Sequence, residues 1–182
     1  TWWENGAANA DYVADLVNSL KRQYNLESKD IWLVGFSGGA QFITQFYLPK
    51  HSNQIDGGGS VVFGGGGSPR VKANTFTPGL AADFPMHWYT GASDTDDFDA
   101  LGAARAGAKW YSGRGFETSL ESPAGVGHDL SGRFCAQCGQ RAVPPHPTLR
   151  ELAERPRDLA RDLAREVHLS AAEHLLDVGS GR

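Results

Sequence analysis

The chain has 182 residues, 40% hydrophobic and 21% charged, enough for one ordinary domain or one and a fragment. That balance describes a soluble globular protein rather than a disordered one. A formal net charge of −4 argues against broad nucleic-acid binding, which needs a basic face, and no apolar run approaches the roughly 20 residues of a membrane span.

Thr1 to Gly6 reads as a loop whose Trp2 and Trp3 either line a cleft or tuck two large rings against a core. A helix follows from Asn9, whose side chain suits an N-cap. Tyr12, Val13, Leu16, Val17, Leu20 and Tyr24 fall on one face at spacings of three and four. Asn25 through Asp30 is a polar turn. Ile31 to Val34 is then an apolar run that stops at a glycine, exposes one serine, passes two more glycines and becomes helical. This is a G-x-S-x-G pattern with Gly35, Ser37 and Gly39 in the fixed places and Phe36 and Gly38 between them. A strand bending sharply into a helix puts the middle residue in strained backbone geometry with its side chain outward. The residues two before and two after then need to be nearly free of side chain, or they would clash with the turn and the neighbouring strand. The bend also places Ser37 near a helix N-terminus, where free N–H groups favour a developing negative charge. Ala40, Ile43, Phe46 and Tyr47 give this helix an apolar side, and Pro49 ends it soon after.

Glycine runs flank a short apolar stretch between Gly57 and Gly67. No Lys-Ser or Lys-Thr follows them and no helical pattern opens, so a short buried strand, Val61 to Phe63, is read here in preference to a phosphate cradle. Arg70 to Phe84 reads as a polar loop long enough to lie over a cleft. Pro85 to Thr90 is the next strand, ending at Gly91, with Asp94 just beyond it. Asp96, Asp97 and Asp99 read as a solvated surface or a helix start, Asp97 being the reserve candidate for an acid. Ala100 to Tyr111 is an alanine-rich helix that can pack closely on a sheet, and Phe116 to Glu121 is the last strand. His128 sits in a glycine loop after it. His87, inside a strand, reads as packed, and His51 has no identifiable partner.

On the serine turn, on G-A-S-D (Gly91 to Asp94) after one strand and on G-V-G-H (Gly125 to His128) after another, residues from about Trp2 to Phe134 resemble the C-terminal two-thirds of an α/β-hydrolase. They are most similar to secreted esterases related to polyhydroxyalkanoate depolymerases and feruloyl esterases. The resemblance implies an α/β fold, a three-layer sandwich around a mostly parallel sheet lacking its first strands, with a C-terminal helical tail. It also implies a nucleophile, an acid and a base in the chain order Ser37, Asp94, His128, Asp94 holding the histidine tautomer. The turn residues Gly35, Phe36, Gly38 and Gly39 would frame the oxyanion, with one donor from Gly38 N–H. The second donor belongs to an early loop that this sequence lacks, a loss of on the order of 10²–10³ in rate. The implied activity is serine hydrolysis of small or polymeric carboxylic esters in a secreted or cell-envelope protein. It needs no cofactor or metal, and implies no nucleic-acid or membrane partner. The alternative is a non-catalytic fragment whose charged C-terminal helix is an interaction surface.

Past Phe134 the character changes. Cys135 and Cys138 have the spacing of half a zinc site, but no second C-x-x-C follows, and His146, His168 and His174 are irregularly spaced. One C-x-x-C gives no disulfide framework, and the hydrolase-like region has no cysteine, which suits either redox compartment. Residues 135–148 form a Cys/Pro-rich linker stiffened by Pro144, Pro145 and Pro147, and 149–182 a helical tail. Leu152, Leu159, Leu163 and Val167 make the stripe of an amphipathic helix from Leu149 to Leu169, broken or kinked at Pro156. Glu173 to Arg182 resemble the first strand and glycine turn of S-adenosylmethionine-dependent methyltransferases, with Asp177 and Gly179-Ser180-Gly181 at the cofactor's border. The remainder of such a site does not follow, so no cofactor is expected. The lone methionine Met86, the composition break and the truncated last motif lead to the expectation that two unrelated partial sequences are joined here, the first without its natural start.

Overall fold

The computed structural model describes residues 1–95 and 98–129. Asp97, the Cys/Pro-rich segment, the charged helix and the final glycine motif lie outside the described residues. Four strands, β1 (Ile31–Phe36), β2 (Gly58–Phe63), β3 (Met86–Tyr89) and β4 (Thr118–Glu121), form one sheet in the order β1-β2-β3-β4, every neighbouring pair parallel. Parallel neighbours cannot be joined by a hairpin, so each connection carries helix. Helix α1 (Gly6–Tyr24) precedes β1, and α2 (Gly38–Phe42), a π-helical turn (Ile43–Tyr47) and α3 (Leu48–His51) lead towards β2. Helix α4 (Pro78–Asp83) precedes β3, and α5 (Ala100–Ser112) precedes β4.

Helix α1 begins at Gly6, not Asn9. Asn9 lies inside it and its amide donates back to the Trp2 carbonyl at 2.9 Å, holding the tryptophan loop against the helix instead of capping it. The buried edge of α1 is Gly6, Ala10 and Ala14, with Val13 and Val17 packed beside it, whereas Tyr12, Leu16, Leu20 and Tyr24 are exposed. Val13 and Val17 of the expected face do pack on the core, but its four larger residues do not, and the buried edge is made of small residues; at Gly6 the Phe46 ring occupies the space a side chain would need. His51, for which the sequence offered no partner, faces Asp11 at 2.9 Å, and Lys50 meets the same carboxylate at 2.7 Å, tying α3 to α1.

Pro49 lies two residues before the end of the α-helix at His51, as its position led one to expect. It lacks the N–H that would bond to the Gln45 carbonyl, and the backbone just upstream widens into the π turn, closed by Leu48 N–H on Ile43 O. The Gln45 carbonyl instead accepts from Arg70 N–H at 3.0 Å.

Strand β2 starts at Gly58, earlier than the expected Val61, because Gly58 and Gly59 pair with Ile31 and Trp32. A Cβ on Gly58 would strike the Ile31 carbonyl and one on Gly59 the Trp32 ring, so only glycine admits this register. Part of the expected Arg70–Phe84 loop is α4, capped by Thr77, whose hydroxyl accepts from Leu80 N–H at 3.1 Å. Asp99 caps α5 in the same way through Gly102 N–H at 2.8 Å, the helix-start role read for that acid run.

The larger core joins Ala10, Ala14, Ala40, Phe46 and Ala104 from the helices to Val62, Met86 and Trp88 from the sheet. A smaller cluster of Val61, Phe63, Tyr89 and Val126 occupies the other face and draws on no helix. Helices thus cover one face among the described residues, giving two of the three expected layers.

Candidate active site

The first bend of the chain is the one the sequence singled out. Strand β1 ends at Phe36, and Ser37 takes φ 51° and ψ −112°, one of two non-glycine residues with positive φ among those described. Such strain persists only where surroundings over-determine it. Here Ser37 N–H is held by the Phe63 carbonyl at 2.9 Å and Ser37 O accepts from Gln41 N–H at 3.0 Å. The steric expectation holds at Gly35, where a Cβ would lie 2.7 Å from the backbone carbon of Gly39 and 2.8 Å from Ile43. It fails at Gly39, where a Cβ would meet nothing within 4 Å. The crowded second glycine is Gly38, over which the Trp3 ring packs.

Two further loops meet this bend at the carboxyl ends of the strands, where parallel α/β sheets present their ligand crevice. Asp94, past β3, is 5% exposed, its N–H bonded to Gly91 O at 3.1 Å and its carbonyl to Leu101 N–H at 3.0 Å. The loop after β4 is stitched to it by Ser93 N–H on Val126 O at 2.9 Å and Ala92 N–H on Pro123 O at 3.0 Å. Gly91 is required for that approach, since a Cβ there would collide with the Val126 carbonyl.

His128 joins the two loops to the bend. Its Nδ1 lies 2.9 and 3.1 Å from the Asp94 carboxylate oxygens and its Nε2 lies 2.9 Å from Ser37 Oγ. The arrangement satisfies every atom when Nδ1–H donates to the carboxylate and the serine hydroxyl donates to Nε2. The imidazole rests beside Phe36, ring centres 5.0 Å apart, and against Gly64 at φ +59°, whose missing side chain leaves room for it.

A cavity of about 530 Å³ opens over Ser37 and His128. Trp3 and Phe98 form its aromatic wall, and Gln41, Gln45 and Arg70 lie on its polar side. Trp3 therefore lines a cleft, whereas Trp2 rests on Phe42 at 5.5 Å between ring centres. The two glutamines, Arg70 and Phe98 were not singled out from sequence. The glutamines sit on a helix otherwise read for its apolar side, and Arg70 reaches the cavity through a carbonyl released by Pro49. His87 is buried and bonded to Ser119 Oγ at 2.8 Å, the packed role expected of it. Three of the four glycines after β2 spend their N–H groups on the protein, Gly64 on Tyr89 O, Gly65 on Thr90 Oγ1 and Gly67 on Gln41 Oε1. No group of three or more metal-ligating side chains occurs among the described residues.

No family model matches the sequence, and no curated protein matches it. Solved structures do match. A carboxylesterase of Bacillus cereus superposes with a TM-score of 0.57 at 15% identity, covering 76% of this chain and 61% of that one. SOBER1 of Arabidopsis thaliana gives 0.52 at 17%, covering 75% and 62%, and YahD, solved with malic acid, gives 0.53 at 15%, covering 75% and 62%. The chain thus spans less than two-thirds of the length of these proteins. With a parallel sheet, a strained serine after β1 and helices in each connection, the described residues have the α/β-hydrolase fold.

Proposed function

We propose that Ser37, His128 and Asp94 are the nucleophile, base and acid of a carboxylic ester hydrolase. The observation carrying this reading is the position of His128, within hydrogen-bond reach of both other groups although the three come from separate loops. Ser37 Oγ attacks the ester carbonyl as His128 Nε2 takes its proton, and Asp94 stabilises the imidazolium. Gly38, first residue of α2, offers an N–H without an intrahelical acceptor to the developing oxyanion. Collapse expels the alcohol, which His128 protonates. His128 then draws a proton from water, and the hydroxide attacks the acyl carbonyl to release the acid and restore Ser37. The carboxylesterase neighbours support ester substrates, at a level of similarity that establishes fold only.

The Ser37→Ala variant is expected to lose about 10⁴-fold or more of p-nitrophenyl ester turnover. Unchanged turnover would end the proposal. A second reading, a partner-binding piece without turnover, is favoured by the limited coverage of the solved relatives. A fluorophosphonate probe separates the two: covalent labelling at Ser37 supports the hydrolase, and an unlabelled folded chain supports the other.

A further inference from the structure

The cavity beside Ser37 has one polar side, and that side presents donors. Gln41 is 6% exposed; its Oε1 already accepts from Gly67 N–H at 3.1 Å, and its Nε2 has no partner among the described residues. Gln45, one helical turn on and equally buried, has a side-chain amide that bonds to nothing described. Arg70 brings a guanidinium with no carboxylate or hydrogen-bond partner among the described residues. The other described charge on the wall, Asp94, is spent on His128.

Arg70 is an exposed residue, but its backbone is held in place. Its backbone N–H takes the Gln45 carbonyl that Pro49 leaves free. The loop is fixed again four residues on, where Asn74 N–H meets Pro49 O at 2.8 Å and the Asn74 amide meets Lys50 O at 2.6 Å. A buried amide left unbonded costs free energy that a bound acceptor recovers, and a planar guanidinium lining the same cavity suits a planar anion.

We propose that this side of the cavity receives a carboxylate carried by the ester substrate, with Arg70 as the specificity-determining residue and Gln41 and Gln45 completing its donor set. The proposal rests on reading the cavity as an ester site. It extends that reading to half-esters of dicarboxylic acids, or to esters whose alcohol bears an acid.

The test is a calorimetric titration on the full chain carrying Ser37→Ala, so that binding is read whether or not the parent turns over. Monoethyl adipate places the carboxylate on the acyl side, 6-butanoyloxyhexanoate places it on the alcohol side, and ethyl butanoate is the neutral control. At least one anionic ester is expected to bind tenfold or more tightly than the control. Adding Arg70→Gln should remove that preference, leave the control unchanged and flatten the salt dependence. Equal binding of all three, or an anionic preference that survives Arg70→Gln in a chain with an unchanged thermal midpoint, would overturn it. Fluorophosphonate labelling of the parent reports separately on the hydrolase reading, so the two failures are distinguishable.

Discussion

Strands β1 and β3 belong to one sheet and carry similarly apolar sequences, I-W-L-V-G-F and M-H-W-Y. Every residue of β3 is buried, whereas β1 has none buried, and its Val34 and Phe36 are 53% and 39% exposed. The difference lies in neighbours. Among the described residues, strand β3 pairs on both sides, with β2 and β4, whereas β1 pairs only with β2. Helix α1, which stands next to β1 in sequence, repeats the contrast, burying glycine and alanine and leaving Tyr12 and Leu16 exposed. Apolar sequence marks a residue as suited to burial; flanking elements decide whether burial occurs. Among the described residues, burial is thus deepest in the central strands β2 and β3, while β1 and α1 carry the more exposed large apolar side chains.

The sharpest break of that comparison is Trp88→Ala. Trp88 is fully buried, lies tilted against Tyr111 with ring centres 6.1 Å apart and donates from its indole to the Gly66 carbonyl at 2.8 Å. Its truncation is expected to cost about 3–5 kcal/mol in denaturant unfolding. A loss below about 1 kcal/mol would mean that β3 is no more central than β1. Next in size is a pair of glycines from one motif. Gly35→Ala drives a methyl into Gly39 backbone, which cannot yield as a side-chain tip can, and should cost about 1–3 kcal/mol. Gly39→Ala enters open space within α2 and should be neutral or stabilise by about 0.4–1 kcal/mol. Equal losses at both positions would contradict the crowding described at the bend. On the exposed side, Val34→Thr should shift unfolding by no more than about 0.5 kcal/mol.

The same contrast explains what was legible in the sequence. The serine bend could be read from local chain geometry, whereas the carboxylate after β3 and the histidine after β4 were singled out by their places beyond strand ends together with the chain order that the α/β-hydrolase resemblance implies. The structure brings Ser37, Asp94 and His128 together in that order. The small-residue edge of α1 could not be read, since periodicity ranks side chains by hydrophobicity, whereas the buried positions are Gly6, Ala10 and Ala14, with the Phe46 ring in the space a side chain at Gly6 would need. The steric demand on Gly39 was overstated for a related reason: the pattern fixes its position, but the direction of its Cβ vector depends on how α2 leaves the bend. Nor could Arg70 be placed at the cavity, because its anchor is a carbonyl freed by a proline far upstream. Long-range contacts of that kind leave no mark at the residue itself.

The smallest expected effect tests whether the β1–α1 side is held chiefly by surface contacts. The Lys50 ammonium, hydrogen-bonded to Asp11, holds that carboxyl below its ordinary value of 3.8, and His51 adds a weaker pull in the same direction, partly offset by desolvation. A carboxyl whose folded value is depressed contributes stability that is fully present above the unfolded value and is lost as pH falls through the folded one. Asp11→Asn should therefore lower the thermal midpoint slightly at neutral pH, and the gap from the parent should close as pH drops well below 3.8. Because the carboxylate is 53% exposed, raising the salt at neutral pH should shrink the same gap. A gap that persists unchanged in acid would mean that Asp11 acts through packing of α1 on α3, and that this side of the molecule is more tightly built than its exposed apolar residues indicate.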